Sequence, residues 1–335
     1  MRIKSDELFN ELYRILKAKG LEEPDARESA RLFVETSLDG VYSHGVNRFP
    51  RLISYIEKGY IDIKAKPTKV ASIGAFERWN GNRGMGNLNA KLCMDRAIEL
   101  SKTYGVGVVA LGNTNHWMRG GTYGWQAANA GCVGICWTNT MPNMPAWGAK
   151  DRRIGNNPFV MSVPRSNGQH LVVDMAMAQF SYGKIEETKL RGEQLPVAGG
   201  YDSQGQLTTD PVEIEKTWRV LPIGFWKGSG LSIALDLIAA ILSGAYSTTD
   251  VGKNCEDEYA VSQVLIAIDP KHFNSVEFTD GIVNRVLADI KASEPVTAGG
   301  EIRYPGEKDY RTRQDNLANG IPVNPDIWAK IKALA

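Results

Sequence analysis

Histidine is scarce in this 335-residue chain, with four copies, and cysteine is equally rare. Cys93, Cys132, Cys136 and Cys255 include no CxxC pair, which excludes a zinc ribbon and a thioredoxin-type redox motif. Cys132 and Cys136 lie in the apolar run GCVGICWT at a spacing that shares one strand face, so buried thiols in a reducing compartment are expected. Net charge is +1, leaving no basic stripe for nucleic acid. No apolar run reaches the ~18 residues of a membrane span. The opening MRIKSDELFNELY is amphipathic and acidic, unlike a signal peptide. The expectations are a cytoplasmic location, no membrane and no nucleic-acid partner. No GxGxxG follows a strand, and HExxH, P-loop and GxSxG motifs are missing too. A Rossmann fingerprint, a metal site and a serine hydrolase are thereby excluded.

What is present is a globular pattern with a hydrophobic fraction of 43% and, at ~150 residues per domain, a two-domain prior. Ser5 can cap a first helix whose apolar face is Leu8, Leu12, Ile15 and Leu16, with Gly20 ending it. Pro24 suits the first turn of a second helix running to Gly40, and a third spans Asn47 to Lys58. Residues 106–111, 132–138, 159–164 and 171–174 read as strands of a buried sheet, and Asn87 to Tyr104 as a helix. Ser229 to Leu242 is apolar nearly all round and reads as a central buried helix. Asn324 and Pro325 open the last helix. Helices at both ends around a strand-rich middle predict an α/β fold in which the termini pack together and a mixed-sheet domain is inserted between them. The expected division is 1–120 plus 290–335 against 121–289.

The histidines carry the candidate chemistry. His44, in GVYSHGVNRFPR, falls between two helices and close to Arg48, which could grip a carboxylate bidentately. A clamp of that kind beside an imidazole suits reduction of a 2-oxo acid, the imidazolium donating a proton to the carbonyl oxygen. Spacing alone favours the plainer reading of His44 as a helix-capping or surface residue. His116, in GNTNHWMRGGTYGW, leaves a buried strand, where ligand sites gather; a solvated loop is equally compatible with it. Gly120–Gly121 would let backbone approach a ligand. The side chains of His170 and His272 read as surface groups. For phosphate binding, WKGSG (226–230) is a better candidate than GNRGMG (81–86), and PGEK (305–308) is a third close-approach loop.

SHGVNR, NHW-x-x-GG-x-Y, TNTMPNMPAWGAKDRRIGNNP, VVDMAM, SYGKIE, LPIGFWKGSGLS and PGE occur in an order that resembles the non-Rossmann malate/L-lactate dehydrogenase family over nearly the whole chain. The resemblance implies His44 as the acid that protonates the substrate oxygen, His116 as an alternative acid/base or orienting group, and Arg48 as the carboxylate-binding residue. It implies a cofactor, NAD with NADP as the alternative, held by Thr140, by His170, Leu171, Val172, Val173, Asp174, Met175 and Ala176, by Trp226 and Lys227, and by Gly306, Glu307 and Lys308. It also implies a homodimer with sites near the subunit interface. Asn156 stands where many relatives carry threonine in this loop, and Trp117–Met118 where many carry Phe-Gly. The expected substrate is a small sugar-derived 2-oxo acid. A malate-, lactate- or ureidoglycolate-type dehydrogenase, a cyclic imino acid reductase and a non-catalytic nucleotide-binding protein remain as alternatives.

Overall fold

The computed structural model describes residues 1–253 and 257–334, so the thiol expected at Cys255 falls outside it. Seven strands form the central sheet: β1 (Thr68–Ile73), β2 (Phe76–Asn80), β3 (Val106–Thr114), β4 (Val133–Thr138), β5 (Phe159–Val163), β6 (Leu171–Met175) and β7 (Val261–Ile268). Their spatial order is β1-β2-β3-β7-β4-β5-β6. Only the β2–β3 pair is parallel, so the sheet is mixed. The four strands expected from the sequence are β3 to β6. The central strand, β7, was not among them, although VSQVLIAI is apolar enough. Leu265 and Ala267 pack on one face of the sheet and Val264 on the other, so its side chains do not alternate in polarity.

The helices that matter to the site are α1 (Ser5–Ala18), α2 (Glu23–Leu38), α3 (Phe49–Glu57), α4 (Gly86–Tyr104), α5 (Gly121–Asn129), α6 (Trp226–Ser243), α7 (Val276–Lys291), α8 (Glu307–Asn319) and α9 (Pro325–Lys332). Ser5 lies inside α1 and does not cap it; Lys4 is the boundary residue and makes no side-chain cap. The cap expected at Asn324 is present, its side chain accepting from the Asp326 N–H. Leu8, Leu12, Ile15 and Leu16 pack with Phe33, Phe49 and Ile53, and with Ile321, Trp328 and Ile331 from the end of the chain. Arg2–Ile3 pair with Ile321–Pro322, so the termini do meet. The sheet, however, takes β1, β2 and β3 from residues ahead of 120, because β7 pairs along the length of β3. The strand-rich part is thus not confined to 121–289.

Helices α4 and α5 cover one face of the sheet, where Cys93, Cys132 and Cys136 are buried free thiols. Helix α6 covers the other face. It is not buried all round as expected: Leu235 and Ala239 face the sheet, whereas Leu237 is 51% and Ile241 68% exposed. A helix presents one stripe to a single sheet, and the opposite stripe is left apolar and open. At 18 residues it is also long and apolar enough to cross a membrane by length and composition.

Candidate active site

One end of the sheet gathers the chemistry. Val261 of β7 pairs with Thr114 of β3, Gln263 with Thr138 of β4, and Phe159 of β5 with both Trp137 and Met175. The exits of β3, β4 and β6, and the entry to β7, therefore lie together. They carry His116, Thr140, Ala176 and Glu258 respectively.

The His116 loop is seated by the glycine turn 81–86. A Cβ on Gly86 would lie 2.2 Å from the Asn115 carbonyl oxygen and 2.3 Å from that of His116, an approach open only to glycine. Asn115 Nδ2 donates to the Arg83 and Gly84 carbonyls at 2.8 and 3.0 Å. Strand β2, helix α4 and strand β3 make a parallel crossover, the setting where a Gly-rich turn commonly receives phosphate. Here the protein's own loop fills the turn, so GNRGMG positions His116 and leaves no room for a dinucleotide. Met118, at φ 68°, is held in a conformation that suits glycine better. Its N–H donates to His116 Nδ1 at 2.9 Å. The neutral His116 ring therefore keeps its proton on Nε2. Burial, and then the charges of Arg48, His44 and Arg51, push its pKa well below the usual histidine value.

The His44 ring centroid is 6.0 Å from that of His116, with the planes 20° apart. His44 Nδ1 lies 3.0 Å from Ser43 Oγ. Burial first, and Arg48 second, lower its pKa to about 4, while Asp174 acts in the opposite sense. Arg48 follows on a short 3₁₀ turn leading into α3. It is only partly exposed, and among the described residues its guanidinium has no hydrogen-bond or ion-pair partner. Burial lowers its pKa, Arg51 adds to that, and Glu258 opposes it. Glu258, 8% exposed, accepts the Met141 N–H at 3.0 Å. It was not foreseen from the sequence, where CEDEY looks like a charged surface turn.

Beneath this pair lies a buried ion network. Arg119, with its side chain 1% exposed, meets Asp39 in a close ion pair, Asp309 at 2.6 Å and Asp174 at 3.7 Å. Arg313 bridges Asp39, at 2.6 Å, and Glu35. Four segments are thereby locked together: the end of α2, the His116 loop, β6 and α8. Gly121 N–H donates to Asp174 Oδ2 at 2.8 Å, and a Cβ there would stand 2.6 Å from that oxygen. The Gly120–Gly121 pair thus admits Asp174 and Trp117, not a ligand as its composition suggested.

The residues expected to hold the cofactor line up along β6, an edge strand. At its start, Gly306 (φ 92°) packs so tightly that a Cβ would lie 3.0 Å from both the His170 carbonyl oxygen and the Val172 nitrogen. Val172 N–H donates to the Pro305 carbonyl at 3.0 Å. His170 is not a surface group: it is 3% exposed, accepts the Arg165 N–H on Nδ1 and lies 3.0 Å from Asn129 Oδ1. His272 does lie at the surface, against the carbonyls that end α4. Beyond the strand, Ile223 N–H donates to the Met177 carbonyl at 2.8 Å, leading into Trp226 and Lys227 at the first turn of α6. Lys227 and Lys308 are exposed, whereas Glu307 is engaged by Lys291 and Arg311 at 2.5 Å each. Thr140 N–H donates to Asn157 Oδ1 at 3.1 Å, and the nearby Asn143 Oδ1 is buried without a partner. The six residue steps from His170 to Ala176 span ~20 Å at ~3.3 Å each, and the first part of that edge is already met by the Pro305 carbonyl and Gly306. Lys308 follows Gly306 beside the start of this strand, Lys227 stands beyond its end, and the unpartnered Asn143 Oδ1 lies near Thr140, so these are the groups that could meet an extended dinucleotide.

Known proteins resemble this chain from end to end. It is 48% identical to a 2,3-diketo-L-gulonate reductase of Salmonella paratyphi B over 334 residues, covering 100% of both chains. A sulfolactate dehydrogenase from Methanocaldococcus jannaschii superposes with a TM-score of 0.92 at 33% identity, covering 100% of this chain and 96% of that one. A malate dehydrogenase from Entamoeba histolytica gives 0.94 at 25% identity, covering 100% and 97%. The profile of the malate/L-lactate dehydrogenase family matches residues 3–332. With the histidine pair, the free guanidinium and the non-Rossmann sheet in place, the protein belongs to the malate/L-lactate dehydrogenase family of oxidoreductases.

Proposed function

We propose that the protein reduces 2,3-diketo-L-gulonate at its 2-oxo group with NADH, in the cytoplasm and as a homodimer. The observation that carries this reading is Arg48: a half-buried cation without a carboxylate partner among the described residues, beside two stacked imidazoles. An unpaired guanidinium in that position is an anion site, and a 2-oxo acid bound there by its carboxylate would present its carbonyl to the histidines. The bound nicotinamide supplies a hydride to the carbonyl carbon. His44 gives its proton to the carbonyl oxygen, so the acid takes up one hydride and one proton to become a 2-hydroxy acid. His116, whose Nδ1 is occupied by the Met118 N–H, stays neutral and holds the carbonyl oxygen with its Nε2–H. Burial and Arg48 lower the His44 pKa and so deplete the imidazolium, whereas Asp174 raises it; a substrate carboxylate on Arg48 would act in the same sense as Asp174 and favour the protonated ring that donates.

Thr140, the backbone of 170–176, Trp226, Lys227 and 306–308 would hold the cofactor along β6. The exposed apolar stripe of α6, which includes Leu237 and Ile241, supports burial against a second copy. Three unpaired buried thiols suit a reducing compartment.

The test is a substrate panel with NADH and NADPH, monitored by absorbance of the reduced cofactor. 2,3-Diketo-L-gulonate with NADH should be turned over fastest; faster reduction of oxaloacetate, pyruvate or a cyclic imino acid would overturn the substrate assignment. His44→Asn should lower kcat by ~10²–10⁴-fold with NADH affinity nearly unchanged.

A further inference from the structure

The two stacked imidazoles differ in what stands behind them. The His44 and His116 ring centroids are 6.0 Å apart, and each ring has its Nδ1 engaged by a local group. For His44 this is Ser43 Oγ at 3.0 Å, and for His116 the Met118 N–H at 2.9 Å. Neither Nε2 has a partner among the described residues, so both rings keep the same nitrogen free for substrate. The groups on Nδ1 are chemically unequal. An amide N–H keeps its proton near neutral pH, so no proton passes through Met118 to His116. A hydroxyl both donates and accepts, so it can hand on one proton while it receives the next. Ser43 is exposed, and its hydroxyl has no other partner among the described residues. Gly183 approaches it without a side chain, and even a Cβ there would stand 4.0 Å from the Ser43 Cβ. The turn that carries both residues is fixed. The His44 and Gly45 N–H groups donate to the Val41 carbonyl at 3.1 and 3.0 Å, and a Cβ on Gly45 would lie 2.3 Å from Ser37 Oγ. Ser43 is thereby held between solvent and a partly buried ring. Burial and Arg48 keep that ring neutral at pH 7, so its protonation must be supplied during the reaction.

We propose that Ser43 acts through His44 as a positioning residue and proton relay, passing a solvent proton to Nδ1 while Nε2 protonates the substrate oxygen, and that this path makes His44 rather than His116 the proton donor. The proposal deepens the 2-oxo acid reading above and rests on it. The carbonyl carbon takes the hydride, and the carbonyl oxygen takes the Nε2 proton of His44. Nδ1 takes the Ser43 hydroxyl proton, and Ser43 takes one from water, leaving hydroxide to the buffer. Once the product has left, water reprotonates Nε2 and Nδ1 returns its proton through Ser43. The net uptake is one solvent proton for each hydride.

The experiment compares wild type, Ser43→Ala and Ser43→Thr in the full-length protein by single-turnover reduction of 2,3-diketo-L-gulonate with NADH, which reads hydride transfer without product release. Ser43→Ala should slow this step about tenfold or more, the lower end of what a positioned acid contributes, with affinities for NADH and oxamate nearly unchanged. Ser43→Thr keeps the hydroxyl at an exposed position and should restore most of the rate. In mixtures of light and heavy water the wild-type rate should fall along a curve, because more than one proton is in flight, and the Ser43→Ala rate along a straight line. A wild-type rate in Ser43→Ala, or a loss that threonine does not restore, would overturn the proposal. A second readout does not depend on turnover. The chain has only four histidines, so nitrogen NMR resolves them, and the signals missing from His44→Asn identify His44. In the wild type its proton should sit on Nε2 with Nδ1 accepting, and Ser43→Ala should mix the two tautomers. A wild-type proton on Nδ1 would make Ser43 the acceptor and refute the relay. A wild-type protein that reduces no 2-oxo acid would overturn the functional reading instead, while the tautomer still decides whether Ser43 supplies His44.

Discussion

Gly306 gives the sharpest test of where the cofactor lies. Gly306→Ala forces a side chain into φ 92°, and its Cβ would stand 3.0 Å from the His170 carbonyl oxygen and the Val172 nitrogen. The left-handed conformation alone costs about 1–2 kcal/mol. The contact also pushes His170–Val172 off the Pro305 carbonyl, which Val172 now reaches at 3.0 Å, and a lost backbone bond is worth about 1 kcal/mol. Gly59 is the control: its φ is 72° and a Cβ there meets nothing within 4 Å. Gly59→Ala should therefore carry only the backbone cost, with NADH binding intact. Gly306→Ala should lose about 2–3 kcal/mol of stability and, because the displaced strand is the proposed cofactor edge, bind NADH roughly tenfold or more weakly, a change of about 1.4 kcal/mol. Thermal unfolding and quenching of NADH fluorescence read the two effects separately. If Gly306→Ala binds NADH like Gly59→Ala while being less stable, the cofactor does not use this edge.

Acidity and packing give two further expectations. Burial and Arg48 hold His44 at about 4, so the ring is neutral at pH 7. A carboxylate on Arg48 cancels the second cause, and oxamate binding near pH 6 should take up protons, measurable with an indicator dye; no uptake in the wild type would remove Arg48 from the control of His44. Because the folded value lies below the unfolded one, this histidine's contribution to stability is present above about 6.5 and is lost as the pH falls towards 4. Arg119→Met leaves the partly exposed carboxylates of Asp39, Asp174 and Asp309 around an uncharged side chain, and should destabilise the protein by about 1–3 kcal/mol in chemical unfolding; no measurable loss would mean that the network is not structural.

Helix periodicity and turn residues marked α1, α2, α3, α4 and α9 to within a few residues, because each of these helices has an apolar stripe and a local stop signal. Strands β3 to β6 were legible for a similar reason. Strand β7 was overlooked because a strand covered on both faces has no alternation, and helix α6 misled because an all-round apolar sequence suggests full burial. His44, Arg48 and His116 were legible as types and as motifs, yet spacing alone left His44 a helix cap.

The amino-acid order by itself determined the local elements, the meeting of the termini and which polar residues could do chemistry. Only the tertiary structure decided that GNRGMG seats the His116 loop, that the glycine pair at 120–121 admits Asp174, that Arg119 is locked among three carboxylates, and that Glu258 is buried where it accepts the Met141 N–H. Those contacts join segments as far apart as Asp39 and Asp309. Their partners are chosen by strand register and close backbone approach, and neither is written in any window of sequence.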